Sequence, residues 1–154
     1  MDAKALSILN FKEVRRRSIH VWRGIPDDYL GWKVDENSAT FGETIRHVWT
    51  SIPYYFEVLK AKKSIQDFKE DESPIVSVAD EIARSQASFD AFLGWIEALD
   101  SKDLEDCIID RSDVGYQRSL GDMLARVAYH EAVHTGQLLQ AMRMAGLDRP
   151  KVWD

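Results

Sequence analysis

The chain has 154 residues, the size of one ordinary domain, and 45% of them are hydrophobic, which is enough to fill a single core. Acidic residues outnumber basic ones by 26 to 20, which argues against a broad nucleic-acid-binding surface because binding phosphates requires clustered Lys and Arg. The single cysteine, Cys107, excludes an intramolecular disulfide. No apolar run reaches the length of a signal peptide or a membrane span, so we expect one cytoplasmic domain over residues 1–154, with no membrane partner.

The first half of the chain predicts two amphipathic helices, because apolar residues recur there at three- and four-residue spacing. The first helix is predicted over residues 4–23 and the second over residues 40–63. Thr40 and Glu43 form a capping-box pattern at the start of the second helix. Pro53 lies inside that helix and should kink it.

The second half predicts two more helices, which begin after the capping residues Ser77 and Ser119 and end near residues 99 and 144. Between them, residues 100–118 form the longest interruption of the helical pattern. Four amphipathic helices with few strand signals indicate an all-α protein. We therefore predict an up-down four-helix bundle with an irregular segment between helices 3 and 4.

The predicted fourth helix carries His130 and His134, one turn apart, with Glu131 between them. Helix phase places His134 near the middle of the inward stripe, His130 on one flank and Glu131 on the other. Two imidazoles at this spacing can share one divalent metal ion. A metal would also offset the cost of burying two polar rings.

A two-histidine site needs a third protein ligand, and two histidines remain in the sequence. His20 falls on the polar face of the first predicted helix, which indicates a surface residue. His47 lies away from the centre of the apolar stripe of the second helix. Its spacing alone therefore leaves its role undecided.

The same residues match the HExxH motif of zinc metalloproteases, in which Glu131 would be the general base. Only 20 residues follow His134, and none of them is a His or a Glu. Gly136 comes two residues after His134, not three as in the longer form of the motif. These departures count against a protease, which stays a lesser alternative.

Three segments taken together resemble the DinB-like family of small metal-binding helical proteins. The first segment resembles the start of the family's second helix, which ends in a metal-ligand histidine. The second resembles the family's fourth helix, with its paired histidines followed by Gly-Gln, and the third resembles the family's tail. The segments are residues 40–47, 119–137 and 142–150.

The resemblance implies a three-histidine site made by His47, His130 and His134, with an open position for water or substrate. It also implies a divalent metal ion, nickel or zinc, and a homodimer. Related families use such a site with low-molecular-weight thiols. The leading expectation is a metal-dependent enzyme with a small-molecule substrate, either a thiol S-transferase with a thiol cosubstrate or a hydrolase. The alternative is a non-catalytic metal-binding module that acts in a stress response.

Four further residues are candidates around this site: Glu131, Gln137, Trp32 and Trp49. Glu131 could act as an acid or base, or it could be a structural charge paired with Arg126 or Arg46. Gln137 follows His134 by one turn and could hydrogen-bond near the site or simply be exposed. The two tryptophans could line the mouth of a pocket or pack in the core.

Overall fold

A computed structural model describes residues 1–153, and four long helices carry most of them. The long helices are α1 (Ala3–Arg23), α2 (Phe41–Ala61), α3 (Val78–Ala98) and α5 (Leu120–Met144). The segment before α5 holds a single-turn helix α4 (Asp103–Asp106) and the strands β1 (Ile108–Arg111) and β2 (Tyr116–Ser119). None of the described helices is both long and apolar enough to cross a membrane.

Three of the long helices begin where the capping patterns predict. Thr40 Oγ1 accepts a hydrogen bond from the Glu43 backbone N–H at 3.1 Å, and the Glu43 carboxylate accepts one from the Thr40 N–H at 2.7 Å. Ser77 and Ser119 cap α3 and α5 in the same way through their side-chain oxygens. Helix α2 continues through Pro53 to Ala61, so the proline does not end the helix, and the kink stays a prediction.

The four long helices pack against one another in a ring of neighbours. Helix α1 contacts α5 and α3, and α2 contacts the same two helices from the other side. Two clusters of buried apolar side chains fill the space between them, one around Phe92 and Leu124 and the other around Trp22 and Ile45. The predicted helical class is therefore confirmed, whereas the up-down order of the helices stays a prediction.

The segment that was predicted to be irregular contains a small antiparallel hairpin. Ile108 on β1 pairs with Ser119 on β2, and Arg111 pairs with Tyr116. The turn between the strands ends at Gly115, whose φ of 94° is a backbone conformation that favours glycine. Because Ser119 is both the last residue of β2 and the cap of α5, the hairpin leads directly into the helix that carries the paired histidines.

Candidate metal centre

Three histidines from two helices meet on one side of the molecule. Helix α2 contributes His47, and α5 contributes His130 and His134. The Nε2 atom of His130 lies 3.1 Å from Nε2 of His47 and 3.1 Å from Nε2 of His134. One nitrogen from each ring lies within 4.8 Å of the other two. The structure therefore brings His47, which spacing alone left undecided, to the pair on α5.

The separation of these nitrogens fits a shared divalent ion. Imidazole nitrogens about 2.1 Å from one ion in a tetrahedral or octahedral arrangement stand roughly 3.0–3.4 Å apart. The ring planes are inclined to one another by 72° to 82°, so the nitrogens converge without stacking of the rings. The three-histidine group could hold a metal ion.

The electrostatic setting keeps the two α5 histidines in the form that binds metals. Burial, together with the charge interactions of His134 and His47, lowers the pKa of His130 from 6.5 to about 4. Burial also lowers the pKa of His134, against the opposing effect of its hydrogen bond to Gln137. Both imidazoles are therefore neutral near pH 7, which leaves a nitrogen lone pair available for coordination.

Gln137 orients one ring of the group. Its side-chain oxygen lies 2.8 Å from Nδ1 of His134. An amide oxygen can only accept a hydrogen bond, so Nδ1 carries the hydrogen and Nε2 keeps its lone pair for the centre of the group. By contrast, the buried Nδ1 of His130 has no hydrogen-bond partner among the described residues. Gln137 thus contacts His134 although it is exposed, and its role beside a bound metal stays a prediction.

Two cavities meet at the histidines. The larger one, here called the apolar cavity, has a volume of about 490 Å³ and is reached by His47 and His134. The smaller one, here called the tyrosine cavity, has a volume of about 220 Å³ and is reached by His47 and His130. The walls of the apolar cavity include Trp32, Phe41, Leu138, Ala141 and Met144. Trp32 therefore lies in the wall of a cavity, and a role in substrate binding stays a prediction.

Trp49 does not line either cavity; of the two settings considered from the sequence, a pocket mouth and the core, the structure gives it the core. It is buried, and its indole Nε1 donates a hydrogen bond to Glu81 at 2.7 Å. The reason is helix rotation, since a residue two positions after His47 points to the opposite side of α2. Trp49 instead packs in the apolar core and closes a polar network between α2 and α3 that includes Arg46.

Glu131 also lies away from both cavities. It is buried between α5 and α1, where its two carboxylate oxygens accept hydrogen bonds from Arg15 at 2.8 and 3.0 Å. The structural interpretation of Glu131 thus fits, but its predicted partners were wrong: Arg46 pairs with Glu81, and Arg126 lies over the ring of Tyr116. The structure gives Glu131 an ion pair with Arg15, and its catalytic role stays a prediction.

The buried face of α5 is rotated from the predicted one. Glu131 and Thr135 are buried, with 2% and 9% of their surface exposed. His130 and His134 are only half-buried, at the edge of α5 that faces α2. The predicted inward stripe was drawn through apolar residues only. It left out the buried polar residues Glu131 and Thr135, so its centre was placed too close to His134. The buried partners, Arg15 for Glu131 and Ser18 for Thr135, belong to α1, and helical periodicity contains no information about them.

Sequence reasoning missed the part of the tyrosine cavity's wall that comes from the chain segment connecting α2 to α3. Phe68 and Glu70 contribute to it from the connection between these helices. They belong to no motif, and no periodic pattern runs through that connection. The sequence therefore carried no signal that could have placed them beside His130.

The fold and sequence agree with a known family. A DinB-like protein from Bacillus subtilis matches with a TM-score of 0.76 and 20% identity, over 96% of this chain and 97% of that one. A second, from Bacillus cereus, matches with a TM-score of 0.73 and 22% identity, over 96% and 95%. No curated protein matches this chain. Residues 10–138 match the DinB superfamily, and the chain therefore belongs to that superfamily.

Proposed function

We propose that this protein holds a divalent metal ion with His47, His130 and His134 and is an enzyme that acts on small molecules. The convergence of three Nε2 atoms, with neighbouring separations of 3.1 Å, is the observation that carries the proposal. Imidazole ligands suit both nickel and zinc. The donor set therefore supports either metal.

The surroundings of the three histidines support a catalytic site over a purely structural one. Within residues 1–153, no Cys, Asp, Glu or fourth His joins the group. Catalytic zinc sites use three protein ligands and keep one position open, whereas structural sites are closed by a fourth. The two cavities that reach His47 leave room for a substrate at such a position. This accessibility favours an enzyme over a non-catalytic module in a stress response.

The chemistry we propose is transfer of a thiol to an electrophilic carbon. A divalent ion held by the three histidines would supply Lewis acidity, which favours the thiolate form of a thiol near neutral pH. The apolar cavity, with Trp32 and Met144 in its wall, suits the carbon skeleton of the electrophile. The sulfur lone pair forms the new C–S bond, the leaving group departs with the electrons of its broken bond, and the thiol proton passes to solvent. Hydrolysis of a small molecule would use the same site, with water in place of the thiol as the nucleophile.

The metalloprotease alternative lacks its general base. In an HExxH protease the glutamate must reach a water molecule at the zinc ion. Here both carboxylate oxygens of Glu131 are bound by Arg15 in a buried ion pair. The arrangement therefore supports the small-molecule enzyme and not the protease.

Metal analysis of the untagged protein tests the site directly. The variants are His47→Ala, His130→Ala and His134→Ala, and His20→Ala is the matched control because His20 is exposed on α1. We expect metal bound at about one ion per chain in the wild type and in the control, and a loss of it in the other three. Unchanged metal content in His47→Ala would show that the proposed site is wrong.

Turnover is tested next, with a panel of low-molecular-weight thiols, each combined with an electrophilic acceptor. We expect a reaction that requires the metal ion, is lost in His47→Ala and is retained in His20→Ala. An ester panel tests the hydrolase in the same variants. Stoichiometric metal without turnover in either panel would favour the non-catalytic module.

A further inference from the structure

We propose that the tyrosine cavity is a binding subsite for an organic ammonium group of the small-molecule ligand. The cavity lies beside His47 and His130, so a ligand whose amine occupies it also reaches the histidines. The inference rests on the proposed function, which makes the three-histidine site a place where a small molecule binds. The contacts that select an ammonium group are independent of any metal ion.

Three aromatic rings form the apolar part of the cavity wall. The Tyr54 ring centroid lies 5.1 Å from that of Tyr55 and 5.3 Å from that of Phe68, at interplanar angles of 75° and 79°. Rings that meet nearly at right angles make a concave corner instead of a closed stack. Aromatic rings attract an organic cation through their negative faces, so this corner suits an alkylammonium group.

Glu70 adds a negative charge to the same wall. Over residues 1–153, it is the only carboxylate in the cavity wall, and no Lys or Arg lines the cavity. Among the described residues, its carboxylate has no ion-pair or hydrogen-bond partner, whereas the carboxylate of the adjacent Asp71 is bound by Arg84 and Arg46. The carboxylate of Glu70 is therefore available to a cationic ligand.

The connection that carries Phe68 and Glu70 is held in place by α2. Arg46 Nη1 donates hydrogen bonds to the backbone oxygens of Asp71 at 3.0 Å and of Ser73 at 2.9 Å. Arg46 precedes His47 in α2 and is buried. Because one arginine ties this connection to the helix that carries His47, the acidic wall keeps a fixed position relative to the histidines.

Arg111, which hydrogen-bonds to one of the cavity's tyrosines, does not convert the cavity into an anion site. Arg111 donates hydrogen bonds to the hydroxyls of Tyr54 at 3.2 Å, Tyr116 at 2.9 Å and Ser64 at 3.0 Å. It does not line the cavity. An anionic ligand would therefore meet the Glu70 carboxylate directly, while the Arg111 guanidinium is bound to three hydroxyls and is not part of the wall. This arrangement favours a cation.

The test uses the metal-free protein, propylammonium as the cationic probe and 1-propanol as its neutral counterpart of similar size. Binding is followed by NMR titration in the wild type, Glu70→Gln and Glu72→Gln. Glu72 is the matched control because it is exposed in the same connection but does not line the cavity. We expect propylammonium to bind more tightly than 1-propanol, and Glu70→Gln to weaken it about fivefold while Glu72→Gln leaves it unchanged.

Tyr55 provides a second variant that leaves the charge in place. Tyr55→Leu removes the ring and should weaken propylammonium binding about threefold, whereas Tyr55→Phe keeps the ring and should bind normally. Equal binding of the two probes, or equal affinity in Glu70→Gln and Glu72→Gln, would overturn the proposal. Because no metal ion is present, a failure here is distinct from failure of the metal site, which metal analysis measures separately.

Discussion

Replacement of Glu131 separates a structural carboxylate from a catalytic one. Arg15 and Glu131 are 4% and 2% exposed, and two hydrogen bonds of 2.8 and 3.0 Å join them. The Arg15 guanidinium also lies 4.5 Å from the ring centroid of Phe89. Glu131→Gln keeps the shape of the side chain but leaves a buried guanidinium without its counter-charge.

The expected cost follows from this burial. Breaking a buried ion pair from one side destabilises a protein by about 3–5 kcal/mol. For a chain of this size, that corresponds to a decrease in melting temperature of roughly 6–20 °C. Urea and thermal unfolding of metal-free Glu131→Gln measure it without a contribution from ligand binding. The metal content of the folded variant should be unchanged, because Glu131 does not belong to the group of side chains that could hold the metal ion.

Two controls sharpen this measurement. The double variant Arg15→Met/Glu131→Leu buries no charge and should recover most of the lost stability. Glu13→Gln removes a partly exposed ion pair, in which Arg17 lies 2.9 Å from the carboxylate, and should cost far less stability than Glu131→Gln. If Glu131→Gln is as stable as the wild type but loses metal-dependent turnover, the structural reasoning is refuted and the carboxylate is catalytic.

Three further predictions concern the histidines and the start of α2. Gln137→Ala removes the partner of His134 Nδ1 and should weaken metal binding about tenfold in a chelator competition. Since burial lowers the pKa of His130 to about 4, the unfolded chain takes up a proton that the folded chain does not. The metal-free protein should therefore lose stability as the pH falls from 6.5 to 4, measured by urea unfolding, and His130→Asn should reduce that loss. Thr40→Ala removes the side-chain oxygen that accepts from the Glu43 N–H and should destabilise the protein by about 1 kcal/mol in the same assay.

The helices were predictable from the sequence because their signals are local. Capping residues such as Thr40 and Ser119 satisfy backbone N–H groups only a few positions away, so the start of a helix is encoded next to it. The pairing of His130 and His134 is local in the same sense, since residues four apart share a helix face. The homodimer, the cytoplasmic location and the single-domain organisation stay predictions of the sequence.

Contacts between distant helices were not predictable in this way. The bond between Arg15 and Glu131 joins residues 116 positions apart, and no periodic pattern relates one to the other. The sequence left Trp49 open between the mouth of a pocket and the core, because an aromatic side chain suits both. Its hydrogen bond to Glu81 on α3 puts it in the core, and only the packing of α2 against α3 shows this.

By itself, the sequence determined where the helices begin and that two histidines share one face of α5. The tertiary structure decided which side of α2 turns toward α5, and thereby brought His47 within 3.1 Å of His130. It also decided that Phe68 and Glu70 stand beside the same histidines. The physical reason is that a single helix specifies its own turns through local hydrogen bonds. A site between helices depends on how they rotate against each other when they bury their apolar faces.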